Sequence, residues 1–308
     1  LYGVDPTLRV IAPACPATAA SGSMFTPAVR FAPTEAAYSG GSAGKLYGAA
    51  ISQGCFPTTP PSTTDIITAA PTIVGGKVIV ATAKTLKSSL HRFSDVLGEE
   101  ASAVTGCGDV TVPMSVDGDA HLLLACGGGE IVSVVPGSLA PTTLTTLPDA
   151  ASSSIAVFPN GDLLVGTNDG KLHRLEQAVA WNDAWSTAAS LGAAVRGVAV
   201  SAPDADGVVA YATTAQGRLY AVGQDGKVIW STSGEPAPEP LGVSALSFPT
   251  VAPADGARAG SLPTLYAGSD DGHVYAVVVD TGLDPASPWP KAHRDLRNTS
   301  NADAPKDW

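Results

Sequence analysis

Charge is scarce in this 308-residue chain: 15% of residues are Asp, Glu, Lys or Arg, and acidic residues outnumber basic ones 28 to 17. The net charge of −11 leaves too few cations to displace counterions from a phosphate backbone, which argues against a nucleic-acid partner. It argues equally against docking on an anionic membrane surface. No stretch approaches the roughly 18 apolar residues needed to cross a bilayer, so no transmembrane segment is expected. No charged n-region followed by an apolar core opens the chain. Because Leu1 already lies inside a strand-like phrase, a processed or trimmed N-terminus is expected, which leaves open whether a signal peptide or lipid anchor was removed.

Cysteine is also sparse. Cys15, Cys55, Cys107 and Cys126 include no C-x-x-C pair, which weakens zinc, haem and thioredoxin-like readings. Cys107 and Cys126 flank one strand-rich segment, and Cys15 and Cys55 bracket the first full repeat. Two disulfides in an oxidising compartment are expected, although four cysteines permit three pairings and buried thiols are the plain alternative. Amphipathic stretches of helical period are missing as well. Only Val179 to Leu191 imitates one, and its Asn-Asp and Ser-Thr breaks mark it as a loop.

What the chain has is turns: 33 glycines and 25 prolines. It also has a recurring hairpin phrase. Gly166-Thr-Asn-Asp-Gly170-Lys-Leu-His-Arg-Leu175 returns as Gly268-Ser-Asp-Asp-Gly272-His-Val-Tyr-Ala-Val277, with looser copies at 40–49 and 213–222. The apolar residues opening the second strand of each hairpin are Leu1, Leu46, Leu90, Ile131, Leu172, Leu219 and Val274, spaced 41 to 55 residues apart. A four-stranded propeller blade needs about 40–50 residues. The fold expected is all-β: a single β-propeller of four-stranded antiparallel blades over 1–308, closed by pairing of N- and C-terminal segments. Residues 1–23 supply the closing strands, 56–65 form a Pro/Thr-rich link between blades, and 284–308 form a C-terminal tail packed on the propeller. Seven blades are expected, or six if the N-terminal fragment completes the last one.

The central strands, such as Leu122-Leu-Leu-Ala125 and Lys77-Val-Ile-Val-Ala81, read as apolar runs, as strands covered on both faces do. Asp-Gly pairs at 117, 169, 206, 225, 255 and 271 offer carboxylates, but Asp-Gly is first of all a tight hairpin turn needing positive φ. His91, His173 and His273 recur at nearly one repeat position, which points to a structural role rather than a metal site. No nucleophile elbow, P-loop or dinucleotide fingerprint is present.

The phrases Asp271-Gly-His-Val-Tyr-Ala-Val277 and Gln216-Gly-Arg-Leu-Tyr-Ala-Val222, the latter followed by Asp225-Gly-Lys-Val-Ile-Trp230, resemble PQQ-like β-propeller repeats. The run Trp289-Pro-Lys-Ala-His-Arg-Asp295-Leu-Arg-Asn-Thr299 is similar to the W-P…D…T segment that ends propellers of that superfamily. The resemblance implies either a quinoprotein dehydrogenase or a non-catalytic relative similar to BamB-like outer-membrane scaffolds. The dehydrogenase branch carries a tryptophan-docking motif in most blades, matched here only by Ala221 to Trp230, and an adjacent-cysteine disulfide that is missing here. The expectation is therefore an exported, extracytoplasmic, non-enzymatic module without a cofactor, which binds a protein partner or an envelope assembly. The different-class alternatives are a quinone- and Ca²⁺-dependent dehydrogenase and a carbohydrate-binding or lyase propeller. Trp181 and Trp185, in the interblade loop 176–189, and Trp289 are the candidate partner-binding residues.

Overall fold

The computed structural model describes residues 29–31, 36–50, 54–56, 63, 65–83, 87–177, 180–185, 190–203, 205–232, 246–247, 249–252, 262–295, 298–303 and 305. Among these residues there are strands and no helix. The first sheet holds β1 (Val29–Phe31), β2 (Ala36–Gly40), β3 (Leu46–Ala50) and β4 (Gly54–Phe56). The second holds β5 (Ile66–Ile67), β6 (Thr72–Val74), β7 (Lys77–Ala83), β8 (Ser88–Phe93) and β9 (Glu99–Val104). The third holds β10 (Ser115–Val116), β11 (Leu122–Ala125), β12 (Glu130–Val135) and β13 (Ala140–Thr146). The fourth holds β14 (Ala156–Val157), β15 (Leu163–Gly166), β16 (Leu172–Gln177) and β17 (Trp181–Asp183). The fifth holds β18 (Val195–Val200), β19 (Val208–Thr214), β20 (Leu219–Gly223) and β21 (Val228–Ser231). The sixth holds β22 (Thr250–Ala252), β23 (Thr264–Gly268) and β24 (Val274–Val278).

Every sheet is antiparallel and, except where β5 and β6 share β7 in the second, a meander in chain order, and apolar clusters join each sheet to the next along the chain. This is the β-propeller the repeats predict. Strands β11, β15 and β19 are buried at every residue, which explains their unbroken apolar sequences. The outermost β9 and β13 lie largely in solvent and carry Glu, Ala and Thr instead. The innermost strands are short where the chain cannot pair. In the second sheet β5 and β6 both pair β7, with Pro71, which has no N–H, between them. Pro113 similarly precedes the two-residue β10.

Asp-Gly hairpins have the predicted structural role. Gly170, Gly226 and Gly272 take φ of 83°, 78° and 86°. The preceding carboxylates accept the backbone N–H two residues on, from Lys171, Lys227 and His273.

Two features differ from expectation. The interblade loop 176–189 contains the outermost strand β17, because Gln177 and Trp181 close a hairpin that continues the ladder. The exposure expected of Trp185 and Trp289 is absent: they are 3% and 1% exposed. Residues 1–23 lie outside the described residues, and with them the choice between seven and six blades; most of 56–65 does too.

Cys107, on the connection leaving β9, is bonded to Cys126 at the end of β11, with Cα atoms 6.0 Å apart. Cys15 lies outside the described residues, as does its pairing with Cys55, whose backbone sits in β4.

After β24 the chain returns to the hub. Val200 donates its N–H to Pro290 O (2.7 Å), Val157 to Trp289 O (2.8 Å) and Ile73 to Ser300 O (2.8 Å). Asp303 accepts the N–H groups of Gly75 and Gly76 at 2.8 and 2.7 Å. One stretch of chain thus binds the inner strands of the fifth, fourth and second sheets. Its own fold is held by side chains. Asp295 accepts from Thr299 N–H (3.0 Å) and O–H (2.6 Å), and Lys291 Nζ donates to Ala292 O (2.8 Å) and Asn298 Oδ1 (2.6 Å). His293, Arg294, Asn298 and Ser300 all have positive φ, a conformation that costs free energy and persists only where such bonds hold it.

Burial lowers the pKa of His293 to about 4, with the nearby Lys291 charge acting in the same direction. Between its ordinary 6.5 and about 4 the unfolded chain therefore binds a proton that the folded chain refuses, and stability falls as pH drops through that window. Chemical denaturation should show an acid limb worth at most about 3 kcal/mol. His293→Gln should flatten that limb, whatever it does to stability at neutral pH. Removing the Cys107–Cys126 bridge by Cys126→Ser should cost about 2–4 kcal/mol, read by the same denaturation.

Candidate functional site

The two ends of the inner strands differ. The C-terminal run lies against the ends where β6, β14 and β18 finish, while a cavity of about 890 Å³ opens where the inner strands begin. Its wall comes from the connections entering the third sheet (Thr111, Val112), the fourth (Ala151, Ser152) and the sixth (Leu246, Ser247). Hairpins between second and third strands complete it, at Asn168 and at 268–274. The volume falls in the range of about 300–1,000 Å³ typical of small-ligand pockets.

Several lining groups are spent on the fold. Ser152 Oγ donates to Val195 O at 2.7 Å, and Ser247 Oγ accepts the N–H of Gly268 at 2.9 Å. Three are not. Asn168, Arg196 and Asp270 come from the fourth, fifth and sixth sheets, are exposed, and have no side-chain partner among the described residues. The mouth thus presents an amide, a guanidinium and a carboxylate.

At its edge, His273 Nδ1 sits 3.2 Å from Asp271 Oδ1. The Tyr275 hydroxyl donates to Asp271 Oδ2 at 2.7 Å, and this bond, with the His273 N–H, holds the carboxyl at about 2. The His273 side chain is 73% exposed, so its Nε2 side faces solvent at the mouth.

The repeat-position histidines differ from one another. His91 Nδ1 lies 2.8 Å from Glu99 on β9, and His173 Nδ1 lies 2.6 Å from Asp183 on β17. Both therefore tie an outermost strand to its neighbour, which is the structural role the repetition predicts. His173 Nε2 is also 3.2 Å from Thr167 Oγ1, so Asp183, His173 and Thr167 have the composition of a catalytic triad. The arrangement is not reactive: His173 is 2% exposed, and Thr167 Oγ1 donates to Asp169 at 2.6 Å. Among the described residues no group of three or more His, Cys, Asp or Glu converges as a metal site would need.

The tryptophans separate by burial. Trp185 is a joint between sheets: its indole N–H donates to Gln224 O at 3.0 Å, and its ring meets Phe158 edge-on. The Arg174 guanidinium lies over both rings and is bonded to Asp162 at 3.0 and 2.6 Å. Trp289 belongs to the core cluster of the second to fourth sheets. Only Trp181 of the three candidates keeps partial exposure, and it lies away from the mouth. Asn168 and Asp270 hold the same place in two copies of the hairpin phrase, between Gly166 and Gly170 and between Gly268 and Gly272, whereas Arg196 lies outside it on β18.

No protein-family model matches the chain, and no curated protein matches it in sequence. A solved structure of virginiamycin B lyase from Staphylococcus aureus is similar, with a TM-score of 0.56 at 10% identity, covering 83% of this chain and 88% of that one. At that identity the likeness establishes the β-propeller architecture and assigns no residue a role.

Proposed function

We propose that this chain is an extracytoplasmic propeller that binds a segment of a protein partner at the open mouth, in the manner of the non-catalytic, BamB-like scaffolds its repeats resemble. The observation that carries the reading is the convergence of Asn168, Arg196 and Asp270 from three sheets, each exposed and without a side-chain partner among the described residues. A peptide offers the complement of that set: backbone donors and acceptors for an amide, and side chains of both signs for a guanidinium and a carboxylate. Arg196 stands apart in an acidic chain and would take a carboxylate in a two-pronged grip. The Cys107–Cys126 bridge supports an oxidising compartment.

A second reading rests on His273. Its Nδ1 is held by an ionised Asp271 at the mouth, which is how a general base is oriented for proton abstraction, as a lyase would require.

Crosslinked pull-down from native cells should return one stoichiometric partner, with crosslinks on the 111–112, 151–152 and 268–274 segments. The double variant Arg196→Glu, Asp270→Lys should lose it. A partner retained by that variant, or crosslinked only at the outer strands, would contradict the reading. Substrate turnover that disappears in His273→Ala while binding persists would establish the lyase instead.

A further inference from the structure

A second cavity, of about 410 Å³, lies between the third and fourth sheets on the face opposite the mouth. Turns and a hairpin that share one end of the sheets build it. They are the β10–β11 turn (Asp117 to His121), the β14–β15 turn (Pro159 to Gly161) and the β16–β17 hairpin, where Gln177 pairs with Trp181. Two of these elements are fixed by their own bonds. Asp117 Oδ1 accepts the N–H groups of Asp119 (2.9 Å) and His121 (2.8 Å), and Asn160 Nδ2 donates to Asp162 at 2.8 Å. Asp119, Gln177 and the Trp181 indole N–H make no side-chain hydrogen bond among the described residues. The Trp181 ring packs one part against the core of the third sheet and leaves another part on the pocket.

We propose that this pocket is a subsite for a neutral saccharide, with Trp181 as its platform. A pyranose combines an apolar C–H face with a rim of hydroxyls that each donate and accept. The first needs a partly exposed aromatic ring that is apolar in body and polar at one edge. The second needs donors and acceptors together: the Asp119 carboxylate accepts from two hydroxyls, while Gln177 and the indole N–H supply donors. The charges beside the ring are the carboxylates of Asp117 and Asp119, with His121 Nδ1 3.4 Å from Asp117. That balance repels uronic and sialic acids and leaves uncharged sugars. The site is independent of the mouth, so its failure would leave the peptide-binding reading untouched.

Saturation-transfer NMR on the intact chain tests this with methyl glycosides of glucose, galactose, mannose and N-acetylglucosamine, with galacturonate as the anionic comparison. A neutral oligosaccharide run in parallel separates a free sugar from one presented in a polymer. At least one neutral glycoside should receive saturation from the irradiated protein, most strongly at the C–H face that stacks on Trp181. Trp181→Phe should retain binding and Trp181→Ala should abolish it. Asp119→Asn, on an exposed turn that tolerates the change, should weaken binding about tenfold, the loss of one good contact. Absence of saturation transfer to every neutral probe, a preference for galacturonate, or undiminished binding by both Trp181→Ala and Asp119→Asn would overturn the proposal.

Discussion

The amides of Ile73, Val157 and Val200 lie at the inner edges of three different sheets, and all three donate to carbonyls of one stretch of chain, Trp289 to Ser300. Neighbouring sheets also meet by side-chain packing and by single hydrogen bonds, such as Val195 N–H to Thr167 O at 3.2 Å and Ser152 Oγ to Val195 O at 2.7 Å, whereas the hub stretch reaches three sheets at once. Backbone bonds through the hub are directional and short, so they fix how the sheets sit around the axis rather than merely that they touch. The stretch that provides them is itself costly, with four non-glycine residues at positive φ and a buried lysine whose pKa falls to about 8. Asp295, Asn298 and the Ala292 carbonyl hold that conformation together. Buried polar groups are worth having only when they are satisfied, and here most are.

That constraint makes the two ends of the molecule unequal. With the C-terminal run seated where the inner strands finish, the end where they begin is left as an open cavity. Two of the mouth's groups, Asn168 and Asp270, stand on hairpin turns and Arg196 stands at the start of β18, and turns on a rigid scaffold are where binding residues concentrate. The rim between the third and fourth sheets follows the same logic. Its turns are locked by Asp117 and Asn160, and the groups left over face a pocket.

Much of the architecture was legible because burial on both faces writes itself as apolar runs. Leu122 to Ala125 and Val78 to Ala81 show this, and Asp-Gly pairs mark the hairpins between. The outermost strands were not legible. Ala140-Pro-Thr-Thr-Leu-Thr-Thr146 lies largely in solvent, so nothing forces its residues to alternate, and Trp181 to Asp183 passed for loop for the same reason. Tryptophans off the strand pattern suggested exposed anchors, yet Trp185 is buried against the Arg174 cation and the Phe158 ring, both supplied from elsewhere in the chain. The Cys107–Cys126 pair, whose members flank one strand-rich segment, was one candidate among the three pairings that four cysteines permit. The mouth was not legible, since Asn168, Arg196 and Asp270 are far apart in sequence and ordinary in type.

Native-state hydrogen exchange on the intact chain addresses the hub most directly. The amides of Ile73, Val157, Val200 and Ala302 should exchange together, and as slowly as those of β11 and β19, because losing the C-terminal run releases the sheets it joins. Early exchange of these four amides, with the sheet interiors still protected, would show a detachable tail and contradict the account.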